Sequence, residues 1–280
     1  MKLAIGTANF GIKYGLTTKK NNLKNIKKVF KFAKLKKIDL IDTSINYESS
    51  HYNIGKFDNN NTKIVTKIKL DSKKMTYNIF KNYFLESVSE FKIVKIHGLL
   101  LHDPKVLKRK QGKKILFYLK KLKKEGLVKK IGISIYSLKD LNFKKIKWKP
   151  DIIQFPVNIF DNRVVKSKFF KEIKNCELHA RSCFLQGSLI DNKYKLNKKL
   201  SKFKKDFIEF DKWSKKVNIN KMDACIHFIK KFKKIKYLIV GFDNYDQFKK
   251  IHESFSKKTI NISKSFEKKN LKLIDPRLWH

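Results

Sequence analysis

Asp42 and Tyr47 in IDTSINY, Lys67 in KIVTKI and His102 in LLLHDP are the residues of this 280-residue chain whose types and placement suit redox chemistry. Each stands at or just beyond the end of a short run rich in Ile, Val or Leu. Such runs read as buried strands, and a residue at a strand's C-terminal end points into a mouth rather than a core. A tyrosine hydroxyl, with a pKa of ~10 in water, is a poor proton donor or acceptor at neutral pH. A lysine ammonium in contact with it favours the phenolate, and an aspartate keeps that ammonium charged and in place. A histidine beside them can hydrogen-bond a substrate carbonyl oxygen while the tyrosine protonates it. Taken singly, Asp42 is a turn cap, Lys67 one more solvated lysine, His102 a loop histidine and Tyr47 a rim aromatic. Their combination is what points to chemistry.

These residues need strands to carry them. Leu3–Thr7, Leu40–Asp42, Ile64–Lys67, Leu99–His102, Ile131–Ile135, Ile152–Phe155, Leu178–Ser182 and Tyr237–Val240 read as strands. Between them lie amphipathic stretches. Ile26, Val29, Phe30 and Ala33 share one helical face, and Phe80, Tyr83, Phe84, Ser87, Val88 and Phe91 another. Ile115, Leu116, Leu119 and Leu122 form a third, opposite Lys113, Lys120, Lys121 and Lys124, with Gly126 as its C-cap. Met222–Phe232 and Asp246–Phe255 complete the helical reading, and the stretch from Gly55 to Asn61 reads as a turn. Strands separated by helices give right-handed βαβ units and a parallel sheet. Eight of them close an α/β barrel of the (β/α)8 TIM type, and 280 residues fit one such domain, residues 1–280.

In order and spacing the chain resembles the aldo-keto reductases, a family of (β/α)8 barrels that move hydride between a nicotinamide cofactor and a carbonyl carbon. The family's Asp, Tyr, Lys and His map onto Asp42, Tyr47, Lys67 and His102. The opening LAIGTANFGIKYG, GIS at Gly132–Ser134, QFPVN at Gln154–Asn158 and IVG ending at Gly241 are similar too. The resemblance implies that Tyr47 is general acid in reduction and base in oxidation. It also implies NADP(H) or NAD(H) as cofactor. Ser134 and Gln154 would hold the nicotinamide carboxamide, with Ile135 standing where the family has asparagine. HARSCFLQGSL resembles the family's AYSPLGxGxL and sets Ser182, Leu185 and Gly187 against the pyrophosphate, with Arg181 in place of a common aromatic. Beyond Gly241, Gln247 matches, while Asp243 stands where an arginine grips a 2′-phosphate and Lys250 and Ile251 replace adenine-reading residues. A carboxylate there repels a 2′-phosphate and accepts from a free 2′-hydroxyl.

The formal charge of +44 invites a nucleic-acid reading, but only Arg109, Arg163, Arg181 and Arg277 of the 68 basic residues are arginine, and the lysines are spread along the whole chain. A specific reader clusters its basic residues, uses arginine for base edges and interleaves aromatics. The charge therefore predicts salt-sensitive, sequence-indifferent polyanion binding rather than specific nucleic-acid recognition. No apolar run approaches a membrane span. The start, MKLAIGTANFG, makes no signal-peptide core. Cys176, Cys183 and Cys225 form no CxxC, which points to a reducing compartment, the cytoplasm. Cys176 with His179, and His51 near Glu48, do not complete a metal set, so no metal is expected. The expectation is an NAD(P)(H)-dependent oxidoreductase for a small carbonyl or sugar-like compound. The sugar reading rests on a polar mouth of Asn46, Glu48, Asn158 and Arg181. The alternative is a cofactor-binding regulatory barrel that acts through a partner protein.

Overall fold

Continuous apolar runs, rather than alternating ones, suit strands covered on both faces, and that is how they are used. The computed structural model describes residues 1–13, 15–16, 21–58, 62–70, 75–93, 95–141, 148–262 and 264–279. Its strands are β1 (Lys2–Gly6), β2 (Leu40–Asp42), β3 (Lys63–Ile68), β4 (Ile96–Leu101), β5 (Val128–Ser134), β6 (Ile152–Pro156), β7 (Glu177–Arg181) and β8 (Ile235–Val240). All neighbours pair in parallel, and β8 returns to β1, which closes the barrel in sequence order. The longer helices are α1 (Leu23–Leu35), α2 (Ser50–Phe57), α3 (Tyr77–Ser89), α4 (Gly112–Lys124), α5 (Lys204–Lys216), α6 (Lys221–Lys230) and α7 (Tyr245–Ser256).

The two-residue period of each strand sorts side chains between two cores. Ala4, Leu40, Val65, Leu100, Ile152, Tyr237 and Ile239 pack together inside the barrel. Their neighbours Ile5, Ile41, Ile64, Leu99, Leu101, Ile153 and Leu238 join the larger core under the helices. Gly132 keeps this interior narrow, because a Cβ there would come within 2.2 Å of the Ile152 carbonyl oxygen. Lysines at 24, 27, 28, 31 and 34 on α1, and at 113, 114, 120, 121, 123 and 124 on α4, are exposed. Part of the large positive charge thus lies on solvated helix faces.

The stretch from Gly55 to Asn61 is not simply a turn. Gly55 to Phe57 end α2, and residues 59–61 lie outside the described residues. Gly55 is there for close packing, since a Cβ would come within 1.6 Å of the Glu90 carbonyl oxygen just after α3. Phe91 falls beyond the end of α3 at Ser89, although it is buried as its helical spacing implied. Strands β4 and β5 also begin earlier than their apolar runs, because His97 and Lys130 continue them into a polar plug.

At the N-terminal end of the barrel, Glu177 Oε1 accepts from His97 Nε2 at 3.2 Å and His179 Nε2 at 2.9 Å. Its Oε2 accepts from Lys130 Nζ at 2.5 Å and Lys236 Nζ at 2.9 Å. Burial alone would raise the Glu177 pKa, but these four donors outweigh it and hold the carboxyl well below the usual range. Four strands are thereby tied to one side chain. Glu177→Gln should cost about 3 kcal/mol, the scale for removing one partner of a buried ionic cluster. In denaturant unfolding the midpoint should fall at constant slope; a change below about 1 kcal/mol would show that the cluster contributes little.

Candidate active site

On β2 to β7 the inward residue toward the C-terminal end, or just beyond it, is polar where the middle layer is apolar. Asp42 closes β2, Lys67 is next to last in β3, and His102 follows β4. Ser134 and Arg181 end β5 and β7, and Gln154, the middle residue of β6, pairs with Ser134. With Tyr47 from the loop after β2, all of them line one cavity. Register decides this. Asp42 pairs with Val65, Ser134 with Gln154 and Pro156 with Arg181, and a slip of one residue would turn each site side chain into the helix-facing core.

Lys67 is the pivot. Its Nζ donates to Asp42 Oδ2 at 2.6 Å and to the Thr43 carbonyl at 2.8 Å, with the lysine 2% exposed. Burial pushes the ammonium below its ordinary pKa, the Asp42 carboxylate opposes this, and the Arg181 charge adds to the lowering. The Tyr47 ring centroid lies 5.6 Å from the same nitrogen. Asp42 Oδ1 accepts from Gln154 Nε2 at 2.7 Å, and Gln154 Oε1 accepts from Ser134 Oγ at 3.3 Å. Because a carboxylate only accepts, the amide of Gln154 can face it in one orientation. Ser134 and Gln154 therefore line the cavity as expected, but they also brace Asp42, a role the sequence did not suggest.

The His102 ring meets the Tyr47 ring edge-on, with centroids 6.4 Å apart at 87°. Burial, with the charges of Lys67, Arg181 and Lys69 adding to it, pushes the His102 pKa down to about 3, so the imidazole is neutral at physiological pH. Its Nδ1 lies 3.3 Å from Ser44 Oγ, which also lies 3.3 Å from the Lys67 carbonyl. A neutral ring donates from one nitrogen only. Ser44 Oγ has a single proton, which also reaches the Lys67 carbonyl; only when that proton goes to Nδ1 is Nε2–H the donor toward the cavity. Sequence reasoning missed Ser44, whose only signal was its place two residues after Asp42.

The cavity runs on past Gly6 and Gly241 toward the loops after β7 and β8. Gly187, at φ +86°, and Ser182, at φ +63°, line it. Leu185 does not: it is fully buried in the apolar core, because the turns at Ser182 to Gly187 drive its side chain inward. A Cβ on Gly241 would meet nothing within 4 Å, so the backbone there is open to a ligand. Asp243 Oδ1 accepts from Asn9 Nδ2 at 3.3 Å, and its N–H donates to Gln247 Oε1 at 2.7 Å. Gln247 Nε2 in turn donates to Asp191 Oδ2 at 3.3 Å, joining the two loops. Asn9 and Gln186 also line the cavity, and Asn9 Oδ1 and Gln186 Oε1 are buried without a partner among the described residues.

Of the polar mouth proposed from sequence, Arg181 alone lines the cavity. Asn158 is buried, donates to the Ser182 carbonyl and accepts from the N–H groups of Phe160 and Asp161, so its polar atoms hold a turn. Asn46 and Glu48 are exposed. Cys176 Sγ lies 3.9 Å from the Glu177 carbonyl, and His179 bonds to the Glu177 carboxylate in the polar plug. Among the described residues no group of three or more His, Cys, Asp or Glu side chains could hold a metal ion. No described helix is long and apolar enough to cross a membrane.

The sequence model of the Aldo/keto reductase family matches residues 2–268. Solved structures with the same architecture include the glycerol dehydrogenase of Gluconobacter oxydans. It is 18% identical, with 92% of this chain and 87% of that one covered at a TM-score of 0.68. An aldo-keto reductase from Bacillus halodurans in its holo form is 14% identical, with coverage of 93% and 88% and a TM-score of 0.69. A Pseudomonas aeruginosa protein is 15% identical, with coverage of 90% and 88% and a TM-score of 0.65. At these identities the likeness to the solved structures is one of fold. No curated protein matches the sequence.

The neutral histidines set a pH dependence. His51, which bonds the Ser87 carbonyl and Thr66, is pushed down to about 4, mainly by burial. The unfolded chain takes up protons on both His51 and His102 below the ordinary histidine value of 6.5, while the folded chain does so only near 4 and 3. Their contribution is therefore complete above pH 6.5 and is lost as pH falls toward those lower values. The melting temperature should drop between pH 6.5 and 5, and His102→Asn should make that drop shallower. An unchanged slope would mean that His102 titrates normally in the fold.

Proposed function

This chain belongs to the aldo/keto reductase family and is an oxidoreductase, and we propose that it interconverts a small carbonyl compound and the corresponding alcohol with Tyr47 as proton donor and acceptor. The observation that carries this reading is the convergence of Tyr47, His102 and the buried Lys67–Asp42 pair on one cavity. In reduction, His102 donates a hydrogen bond to the substrate carbonyl oxygen and Tyr47 gives that oxygen its proton. The Lys67 ammonium beside the ring stabilises the phenolate left behind, and Asp42, braced by Gln154, keeps Lys67 charged in its buried position. In oxidation the phenolate takes the proton back. Tyr47 and His102 touch substrate; Lys67 and Asp42 act through Tyr47.

A nicotinamide cofactor, NADP(H) or NAD(H), supplies or takes the hydride when bound. Ser134 and Gln154 would hold its carboxamide end, Ser182, Gly187 and Gly241 its pyrophosphate, and Asp243 with Gln247 its adenosine. The unpartnered oxygens of Asn9 and Gln186 and the open backbone at Gly241 support such a ligand. Free thiols at Cys176, Cys183 and Cys225 support a reducing compartment, the cytoplasm.

Tyr47→Phe removes the proton donor at nearly constant volume, so turnover should fall by at least the ~10²-fold typical of general-acid loss while cofactor affinity is kept. Near-full activity in the Phe variant would refute the assignment. Cofactor choice is tested at Asp243. Asp243→Arg should raise the NADPH-to-NADH ratio of kcat/KM by roughly tenfold, the scale of one charge contact of ~1.4 kcal/mol. An unchanged ratio would mean that Asp243 does not face the adenosine.

A further inference from the structure

Four charged residues line the catalytic cavity: Asp42, Lys67, Arg181 and Asp243. Asp42 and Lys67 neutralise one another at 2.6 Å. Asp243 lies at the far end, beside Asn9 and Gln247. Arg181 takes part in none of the ion pairs among the described residues, whereas Arg163 is paired with Asp161 and Arg277 with Asp275. Its charge acts on both His102 and Lys67. The catalytic end of the cavity therefore carries a net single positive charge, held at the end of β7.

Arg181 is also fixed in position. Its Nη2 donates to the Ile135 carbonyl at 3.1 Å and its Nη1 to Ser182 Oγ at 3.2 Å. Its Cζ lies 4.1 Å from the centroid of the Tyr136 ring, and Arg277 Cζ lies 3.8 Å from the same centroid. Two guanidinium groups cannot share one face at that distance, so the ring is sandwiched between them. Arg277 is closed by its bidentate contact with Asp275. Two of the five N–H donors of Arg181 are used in these bonds, which leaves three for a ligand. A half-buried cation held rigidly with spare donors and no carboxylate is a site for an anion.

We propose that Arg181 binds a carboxylate of the substrate, so that this enzyme works on small carbonyl compounds bearing one carboxylate. The inference rests on the carbonyl-reduction reading of the same cavity and names its substrate class. A carboxylate matches the planar fork of a guanidinium and balances its single charge. A phosphate, at about −1.5 to −2, would exceed the single positive charge of Arg181, and the self-neutralised Asp42–Lys67 pair offers none to balance it.

The test compares kcat/KM for 4-carboxybenzaldehyde, 4-carbamoylbenzaldehyde and 4-formylphenyl phosphate in the wild type, Arg181→Gln and Arg181→Lys. The wild type should prefer the carboxylate over the amide by tenfold or more. Arg181→Gln should bring the two within about twofold, and Arg181→Lys, which keeps the charge but not the fork, should fall between. Equal use of carboxylate and amide by the wild type, or a preference that survives in Arg181→Gln, would overturn the proposal. So would a stronger preference for the phosphate. Cofactor dissociation constants, read from quenching of protein fluorescence, separate the remaining possibility. A weakened cofactor with an unchanged substrate ratio would assign Arg181 to the cofactor instead. If no aldehyde is turned over with either cofactor, the reductase reading has failed. Calorimetric binding of benzoate against benzamide then decides Arg181 alone: tighter benzoate binding lost in Arg181→Gln supports it, and equal binding overturns it.

Discussion

A lysine ammonium buried to 2% exposure between a carboxylate and a carbonyl is the contact on which this molecule is organised. Taking both charges of the Lys67–Asp42 pair out of water is costly, and the attraction between them offsets that cost only when the remaining hydrogen-bonding capacity is met. Here it is met by the Thr43 carbonyl and the Gln154 amide, and Gln154 is itself held by Ser134. The pair thus requires β2, β3, β5 and β6 to keep one register. A closed parallel barrel does this, since its register is set by hydrogen bonds around the whole circumference.

The barrel separates its charges by height. The middle layer is apolar, with Val65, Leu100, Ile152 and Ile239 facing inward. Below it, Glu177 gathers two histidines and two lysines; above it stands the Lys67 pair. The apolar layer keeps the two ionic groups apart. The solvated lysines of helices such as α1 and α4 have no part in either.

Burial also sets the electrostatics of the mouth. His102 is neutral because it is desolvated next to cations, so it is not a second acid beside Tyr47. The nearby Arg181 contributes to that neutrality and adds a charge that the chain itself leaves unbalanced. One arginine therefore links the protonation state of the site to the charge of what enters it.

The sequence by itself determined the barrel and the residues Asp42, Tyr47, Lys67 and His102. Apolar runs of strand length and helical faces such as Ile115, Leu116, Leu119 and Leu122 are local patterns, and local patterns survive in a string of letters. Even there the ends of strands were misjudged at Ile96 and Val128, because His97 and Lys130 look like loop residues until Glu177 is brought beside them. The turn at Gly55 became helix for the same reason, since the Glu90 carbonyl that requires a glycine lies 35 positions away. Tertiary structure alone decided that Leu185 belongs to the core, that Asn158 spends its amide on a turn, and that Gln154 braces Asp42. It alone set Arg181 against Tyr136 without a carboxylate. Each of these depends on which side of a strand or loop a side chain leaves and on what meets it across the barrel, and both are fixed only when distant strands pair in register.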